Sequence, residues 1–405
     1  MHRYIPALDG LRGLAVLAVI AFHVHLHYGQ YLDGRVNGPL TMVLSCGWAG
    51  VDLFFVLSGF LITGILYDTK GGQWYFRTFY ARRTLRILPL YYAFLLAAFV
   101  LGRLGCSFFT WTDRNEALSL LLYVYNFRAA WNEQFHSVYN HVWSLAVEEH
   151  FYLLWPLAVW ALCSRALMRL CLAGAAASFL LRVLVIQSGM WPTTAYIVTP
   201  CRLDGLLAGA FVALAWREAA VWESLQRWAG SAAAGAGGLL LGIVLSHRGF
   251  DGNLELTVGI AALAVFFAAL LVLTVNAAKG SWLRRFCENK GLRAVGKYSY
   301  GIYIFHPAIL LAGGELLRPL SRAPAYVSKP LGVLWLLAAS FAAAWLSYHL
   351  YEKHFLRLKR FFEYRTPAPA GTPAPSLNQS DSDAQPDLLQ AAGSAVPRPV
   401  PGSAQ

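Results

Sequence analysis

Arg12 and His23 stand in one apolar run, GLRGLAVLAVIAFHVHLHYG, from Gly10 to Gly29. Eleven positions at about 100° each make three turns plus roughly 20°, so a helix puts both side chains on one face, roughly 16–17 Å apart along its axis. That is about half the hydrocarbon thickness of a bilayer. A guanidinium grips phosphate oxygens with a two-pronged fork. An imidazole is the usual general base near neutral pH. The pair therefore suits a long phosphorylated ligand with its phosphates at Arg12 and its reactive end at His23. The plainer alternative is an Arg12 that snorkels to the interface and a His23 that hydrogen-bonds a neighbouring helix. His23 and His27 are also i, i+4, but no carboxylate on this helix completes a ligand set, so no metal is expected.

Further ionisable and polar residues interrupt other apolar runs, where they are costly and tend to face a cavity or a partner. GWAGVDLFFVLSGFLITGILY carries Asp52 and Ser58. YARRTLRILPLYY places Arg82, Arg83 and Arg86 just before Pro89, as a phosphate cluster or as a topogenic basic loop. HVWSLAVEEHFYLLWP holds Trp143, Ser144 and two adjacent acids. Neighbouring side chains point about 100° apart, so only one acid can face a given site; the i, i+4 spacing from Ser144 favours Glu148. PCRLDGLLAGA opens a segment with Arg202 and Asp204, which could neutralise each other or other buried charges. Its Gly205 and Gly209 form a G-x-x-x-G contact face. KYSYGIYIFHP adds Ser299, Tyr303 and His306, and YHLYEKHF adds Glu352.

The elements that position these residues are membrane helices. Of the 405 residues 57% are hydrophobic and 13% charged, against roughly a quarter charged in soluble domains. Spanning helices need about 20 mostly apolar residues, and about ten such segments are expected to surround a central cavity: 11–30, 47–67, 87–104, 143–163, 170–189, 203–216, 229–247, 256–276, 298–318 and 330–351. Segment 116–127 is too short to span and reads as interfacial or re-entrant. The fold class is thus all-α and polytopic. The net charge of +12 is not a nucleic-acid signal, because the basic residues cluster between apolar runs. With ten spans, the clusters at 70–86, 279–297 and 353–365 share one side, which the positive-inside rule makes cytoplasmic, with both termini. The amino terminus lacks a compact basic region and a small-residue cleavage site, so the first span is expected to be retained. Residues 366–405 are rich in Pro, Ala, Ser and Gly and are expected to form a disordered cytoplasmic tail after a membrane domain of 1–365. The six cysteines form no C-x-x-C pair, leaving only a possible disulfide among Cys46, Cys106 and Cys201.

The stretches ALDGLRGLAVLAVIAFH, GVDLFFVLSGFLI, RRTLRILPLYY, WSLAVEEHFYLLWP, RLDGLLAGA and SYGIYIFHP, in this order from about residue 4 to 352, resemble the acyltransferase-3 family of integral membrane acyltransferases. The resemblance implies about ten helices and an acyl-CoA donor, most often acetyl-CoA, from the cytoplasm. It implies an acceptor hydroxyl on a carbohydrate or glycoconjugate, often on the outer side of the inner membrane. The family's Arg-x(10)-His signature falls on Arg12 and His23, its arginines after the second span on Arg82, Arg83 and Arg86, and the acid of its W-S-L-x-x-E stretch on Glu148. Some members carry a fused periplasmic hydrolase-like domain; here such a partner would be a separate enzyme.

The expected function is an O-acyltransferase with acyl-CoA as donor substrate and no permanently bound cofactor. His23 would be either a base on the acceptor hydroxyl or a relay that carries the acyl group, and Glu148 the acid that orients or charge-balances it. The rival is a transporter of an acyl group or lipid-linked sugar with His23 as a proton relay. A membrane scaffold without turnover would not need so many ionisable residues in its spans. Reporter fusions after Arg86 and after Arg365 should both give cytoplasmic signals; a signal from the opposite side at either point contradicts the ten-span arrangement.

Overall fold

The computed structural model describes residues 3–28, 39–109, 111, 113–134, 138–246, 252–316, 325–364 and 395–396. Ten main helices are numbered here: α1 Pro6–Tyr28, α2 Gly50–Thr69, α3 Tyr75–Arg103, α4 Trp143–Ala161, α5 Ser164–Gln187, α6 Leu203–Ala215, α7 Ala219–Ser246, α8 Ile260–Asn276, α9 Ser299–Leu316 and α10 Ala325–Ser347. Each apolar segment of the sequence corresponds to one of them. The protein is an all-α polytopic membrane protein. Apart from a two-residue antiparallel pairing of Arg3–Tyr4 with Ala395–Val396, the described elements are helical.

Seven stretches of the described residues are long and apolar enough to cross a membrane; they contain α1, α2, α3, α5, α7, α8 and most of α10. The other three helices fall short for readable reasons. α4 carries Glu148, Glu149 and His150, α6 has 13 residues, and α9 contains His306, Pro307 and Glu315. Two of these groups face inward, Glu148 toward Ser58 of α2 and the fully buried His306, so some residues that serve a site also weaken the hydropathy signal. The rest of 366–405 lies outside the described residues. Segment 116–127 is not one element: it divides between helices Arg114–Leu121 and Tyr125–Trp131, with Tyr123 in a left-handed conformation between them.

α2 is the innermost long helix, and α6 packs along it in parallel. A Cβ on Gly59 would lie 1.8 Å from the Leu206 carbonyl oxygen, and one on Gly209 would lie 1.9 Å from that of Val56. Only glycine permits this approach, so Gly205 and Gly209 serve the packing face that their spacing suggests. Ion pairs pin both ends: Arg202 to Asp52 at 2.7 Å and Arg217 to Asp68 at 2.7 Å. α4 also runs parallel to α2, joined by Ser58 to Glu148 and by Trp155 to Thr63 at 2.7 Å. On its other side α1 lies antiparallel to α2, with Gly50 against the Ala15 carbonyl.

Proline within a helix removes an amide donor and clashes with the preceding turn. In α3, Pro89 sits just beyond the arginines, and carbonyls at that level take outside donors: Tyr300 donates to Ile87 at 2.8 Å and Tyr351 to Pro89 at 3.3 Å. After α10 a π-helical turn, Tyr348–Glu352, redirects the chain toward α3. A helical segment, Lys353–Arg357, and a tighter turn, Leu358–Phe361, follow. All six cysteines are free thiols.

Arg202 and Arg182 are fully buried, and Asp204 stands 2.7 Å from Arg182. Removing one member of a buried pair strands the other, at about 3–5 kcal/mol. Asp52→Leu should therefore lower the thermal unfolding temperature of the detergent-solubilised protein sharply. Asp52→Leu combined with Arg202→Leu should recover much of the loss. A single variant as stable as the parent contradicts the structural role of the pair.

Candidate active site

The expected site residues separate into three groups along the bundle. The first contains Arg12 of α1 and Arg83 and Arg86 of α3. Arg86 lies within electrostatic range of Arg12, Arg83 and Glu352. Arg83 and Arg12 act on Glu148 of α4, whose carboxylate accepts a hydrogen bond from Ser58 at 2.5 Å. Arg83 also packs over the Tyr152 ring at 5.1 Å. Arg12 leans on Asp9 at 3.5 Å, and Asp9 accepts from Tyr4. Lys359, almost buried at 9% exposure, joins this group; the charges acting on it are Arg86, Arg83 and Arg82. With Arg82 counted, the five cations Arg12, Arg82, Arg83, Arg86 and Lys359 outnumber the four carboxylates Asp9, Glu148, Glu149 and Glu352, which suits a polyanion.

Arg82 is placed differently from its neighbours. Its Nη1 donates to the carbonyls of Lys359 at 3.0 Å and Phe362 at 2.9 Å, and its guanidinium covers the Tyr364 ring at 4.9 Å. It holds the segment after α10 against α3, and so fixes the backbone that carries Lys359.

The second group surrounds His23. Its Nδ1 lies 2.9 Å from the Val19 carbonyl and 3.4 Å from His306 Nε2. The His23 and His306 rings meet edge to face with centroids 4.7 Å apart, and His141 lies 5.6 Å beyond His306. His141 sits in the turn Asn140–Val142 that leads into α4. Tyr303 donates to the His141 carbonyl at 2.8 Å and shares a 2.6 Å hydrogen bond with Ser144. Ser144 and Tyr303 therefore hold the entry to α4 beside the histidines. The described residues contain no cluster of three His, Cys, Asp or Glu side chains that could hold a metal ion. Ser299 is buried at the start of α9 and joins neither group.

The third group is structural. Asp52, Arg202 and Asp204 are not free for a ligand: Asp52 pairs with Arg202, and Asp204 with Arg182 of α5. Arg202 and Asp204 neutralise other buried charges and not each other. Phe55, Trp143 and Tyr196 enclose the Arg202 guanidinium at 5.6, 5.5 and 4.8 Å, so Trp143 serves this cage.

Sequence reasoning missed Arg182, His141 and Lys359, and left Glu352 out of the site. Arg182 was detectable as the one charge inside SFLLRVLVIQ. Lys359 was hidden within a basic cluster whose role in orientation explained it fully. His141 precedes its helix and shares no periodic face. Glu148 and His23 belong to different groups; Glu148 keeps company with the arginines. An open groove of about 940 Å³ lies elsewhere, between α3 and the segment after α10, lined by apolar side chains such as Leu88, Leu96 and Phe355.

The acyltransferase-3 family profile, described as an acyltransferase domain, matches residues 5–349. The chain belongs to this family. It is 27% identical over 329 residues to the peptidoglycan O-acetyltransferase OatA of Listeria monocytogenes serovar 1/2a, covering 76% of this chain and 50% of that protein. It is 27% identical over 346 residues to the O-acetyltransferase OatA of Staphylococcus aureus (strain NCTC 8325 / PS 47), covering 80% and 53%. A supposed peptidoglycan O-acetyltransferase of Bacillus subtilis (strain 168), YrhL, is 30% identical over 394 residues, covering 87% and 55%. The chain spans about half the length of the curated relatives it matches. No solved structure matches it.

The clamp formed by Arg82 has a direct consequence. Arg82→Gln should expose Lys353, Arg357 and Arg360 to trypsin in the solubilised protein, whereas Arg86→Gln should leave the cleavage rate near that of the parent. Equal protection in both variants contradicts the clamp.

Proposed function

We propose that this family member is a membrane O-acyltransferase that moves an acyl group, in the first instance acetyl, from cytoplasmic acyl-CoA to a hydroxyl of a cell-envelope carbohydrate. The named relatives suggest peptidoglycan or a similar glycan as acceptor. The observation that carries this reading is the arrangement on α1: Arg12 stands in a group where cations outnumber acids, while His23 has its Nδ1 tied to the Val19 carbonyl. Such a pairing is built for a ligand with phosphates at one end and an acyl thioester at the other.

A carbonyl only accepts hydrogen bonds, so the contact with Val19 fixes the proton of neutral His23 on Nδ1 and leaves the lone pair on Nε2. Nε2 takes the proton of the acceptor hydroxyl as that oxygen bonds to the thioester carbonyl carbon. Collapse of the adduct breaks the carbon–sulfur bond. The proton passes from His23 to the departing thiolate, giving the ester and free CoA. Arg83, Arg86, Arg12 and Lys359 hold the CoA phosphates, Arg82 supports the segment that presents Lys359, and Glu148 with Ser58 orients the arginines. The setting in this reading is the inner (plasma) membrane with both termini cytoplasmic, the orientation that the basic clusters favour under ten spans.

Purified protein in liposomes, given acetyl-CoA and a glycan acceptor, should release CoA thiol and form an O-acetyl ester. His23→Ala should abolish both while acetyl-CoA still binds. Arg83→Gln or Arg86→Gln should raise KM for acetyl-CoA about tenfold, the scale of one charged hydrogen bond. A protein that moves label across the bilayer without releasing CoA is a transporter and contradicts the reading.

A further inference from the structure

Three histidines from three separate stretches of chain meet at one level of the bundle, and they share a feature of hydrogen bonding. In each, Nδ1 faces a backbone carbonyl three or four residues earlier: His23 to Val19 at 2.9 Å, His306 to Tyr303 at 2.8 Å and His141 to Val138 at 3.1 Å. Carbonyls donate nothing, so each neutral ring carries its proton on Nδ1 and its lone pair on Nε2. The lone pair of His306 Nε2 is directed at His23 Nδ1, 3.4 Å away, while His306 itself is fully buried. His23 Nδ1–H is thus shared between the Val19 carbonyl and His306. The buried Nε2 of His141 makes no hydrogen bond among the described residues.

From this geometry we infer that His306 is the positioning residue of the reaction: with the His23 tautomer set by the Val19 carbonyl, His306 fixes the ring orientation of His23 and supports the imidazolium that forms when His23 takes the acceptor's proton. The inference rests on the assignment of His23 as the base. A catalytic histidine needs an acceptor for its second N–H. A carboxylate is the familiar partner, and Glu148 is the nearby sequence candidate, but its carboxylate is bonded to Ser58 and faces Arg83 and Arg12. A neutral imidazole supplies the lone pair without placing a second charge in an apolar interior. Tyr303 reinforces the arrangement, since its backbone carbonyl holds His306 Nδ1 and its hydroxyl binds the His141 carbonyl at 2.8 Å. The His141 ring packs edge to face on His306 with centroids 5.6 Å apart and so also limits the orientation of that ring.

Electron and proton bookkeeping is that of the base step. The acceptor proton moves to His23 Nε2, positive charge spreads to Nδ1–H, and His306 Nε2 accepts that hydrogen bond without itself being protonated. When the thiolate departs, the proton leaves Nε2 and the pair returns to its starting state.

The test uses the full-length protein in liposomes with acetyl-CoA and a glycan acceptor. His306→Leu removes the lone pair and should lower kcat by at least about tenfold, within the range of one acid–base group, while KM for acetyl-CoA stays within about twofold of the parent. His306→Gln can present an amide oxygen toward His23 and should recover a substantial part of kcat. A second readout does not depend on turnover: diethyl pyrocarbonate should acylate His23 more slowly in His306→Leu than in the parent, as mapped by peptide mass analysis. Parent-like kcat in His306→Leu overturns the inference, as does a Gln variant no better than Leu. A common fall in kcat and rise in KM also overturns it, because that shows the residue acting on donor binding and not only through His23. His23→Ala is assayed alongside. If it is inactive while His306→Leu is normal, the base assignment stands and this inference falls; if His23→Ala turns over normally, both fall.

Discussion

Asp52 and Arg202, with Asp204 and Arg182, place four charged side chains in an interior surrounded by hydrocarbon. An unpaired ion there costs several kcal/mol, so each charge must meet its partner before the helices can close. The partners come from α2, the turn before α6, α6 itself and α5. Their pairing therefore sets the depth of three helices relative to one another. The Arg217–Asp68 pair at the far end of α2 and α6 fixes the same register a second time. Between these two pins, the glycines let backbone meet backbone, and the resulting α2–α6 pair is the frame on which α4 and α1 are hung.

That frame explains the order of the site. Because α4 runs parallel to α2, Ser58 reaches Glu148 while His141, seven residues earlier in the chain, lies roughly 10 Å away along the axis. Because α1 runs antiparallel to α2, Arg12 falls at the level of Glu148 and the basic segment of α3, and His23 falls at the level of His141. α9 completes the second level with Tyr303 and His306. The site is thus a column with guanidinium groups at one end and imidazoles at the other. Guanidinium groups and carboxylates gather at the basic end, and the histidine end carries imidazole, hydroxyl and backbone hydrogen-bonding groups. This division suits a donor whose polyanionic part stays near water and whose reactive carbonyl enters the apolar interior.

The segment after α10 gains a meaning from its contacts. Its basic residues are of the kind that the positive-inside rule counts, yet Lys359 is almost buried beside Arg83 and Arg86 and its backbone is held by Arg82. One charge cluster can serve both orientation and binding, since the first depends only on which side of the membrane it lies and the second on where its side chains point.

The sequence by itself determined the elements: apolar runs marked the ten main helices, seven of them within stretches long and apolar enough to cross a membrane, and the polar interruptions marked most of the residues that face inward. It determined the shared face of Arg12 and His23, because both lie on one helix and helical periodicity is a local property. The family motifs followed from the same stretches. Only the tertiary structure decided which charges neutralise which. Asp52 and Arg202 are 150 positions apart, and a periodicity within one helix carries no information about its register against another. For the same reason the sequence suggested Glu148 as companion to His23, while the parallel packing of α2 and α4 assigned it to Ser58 and the arginines. His306 was visible as a polar residue in an apolar run, but its alignment on His23 Nδ1 depends on the antiparallel and parallel directions of helices far apart in the chain, which packing alone sets.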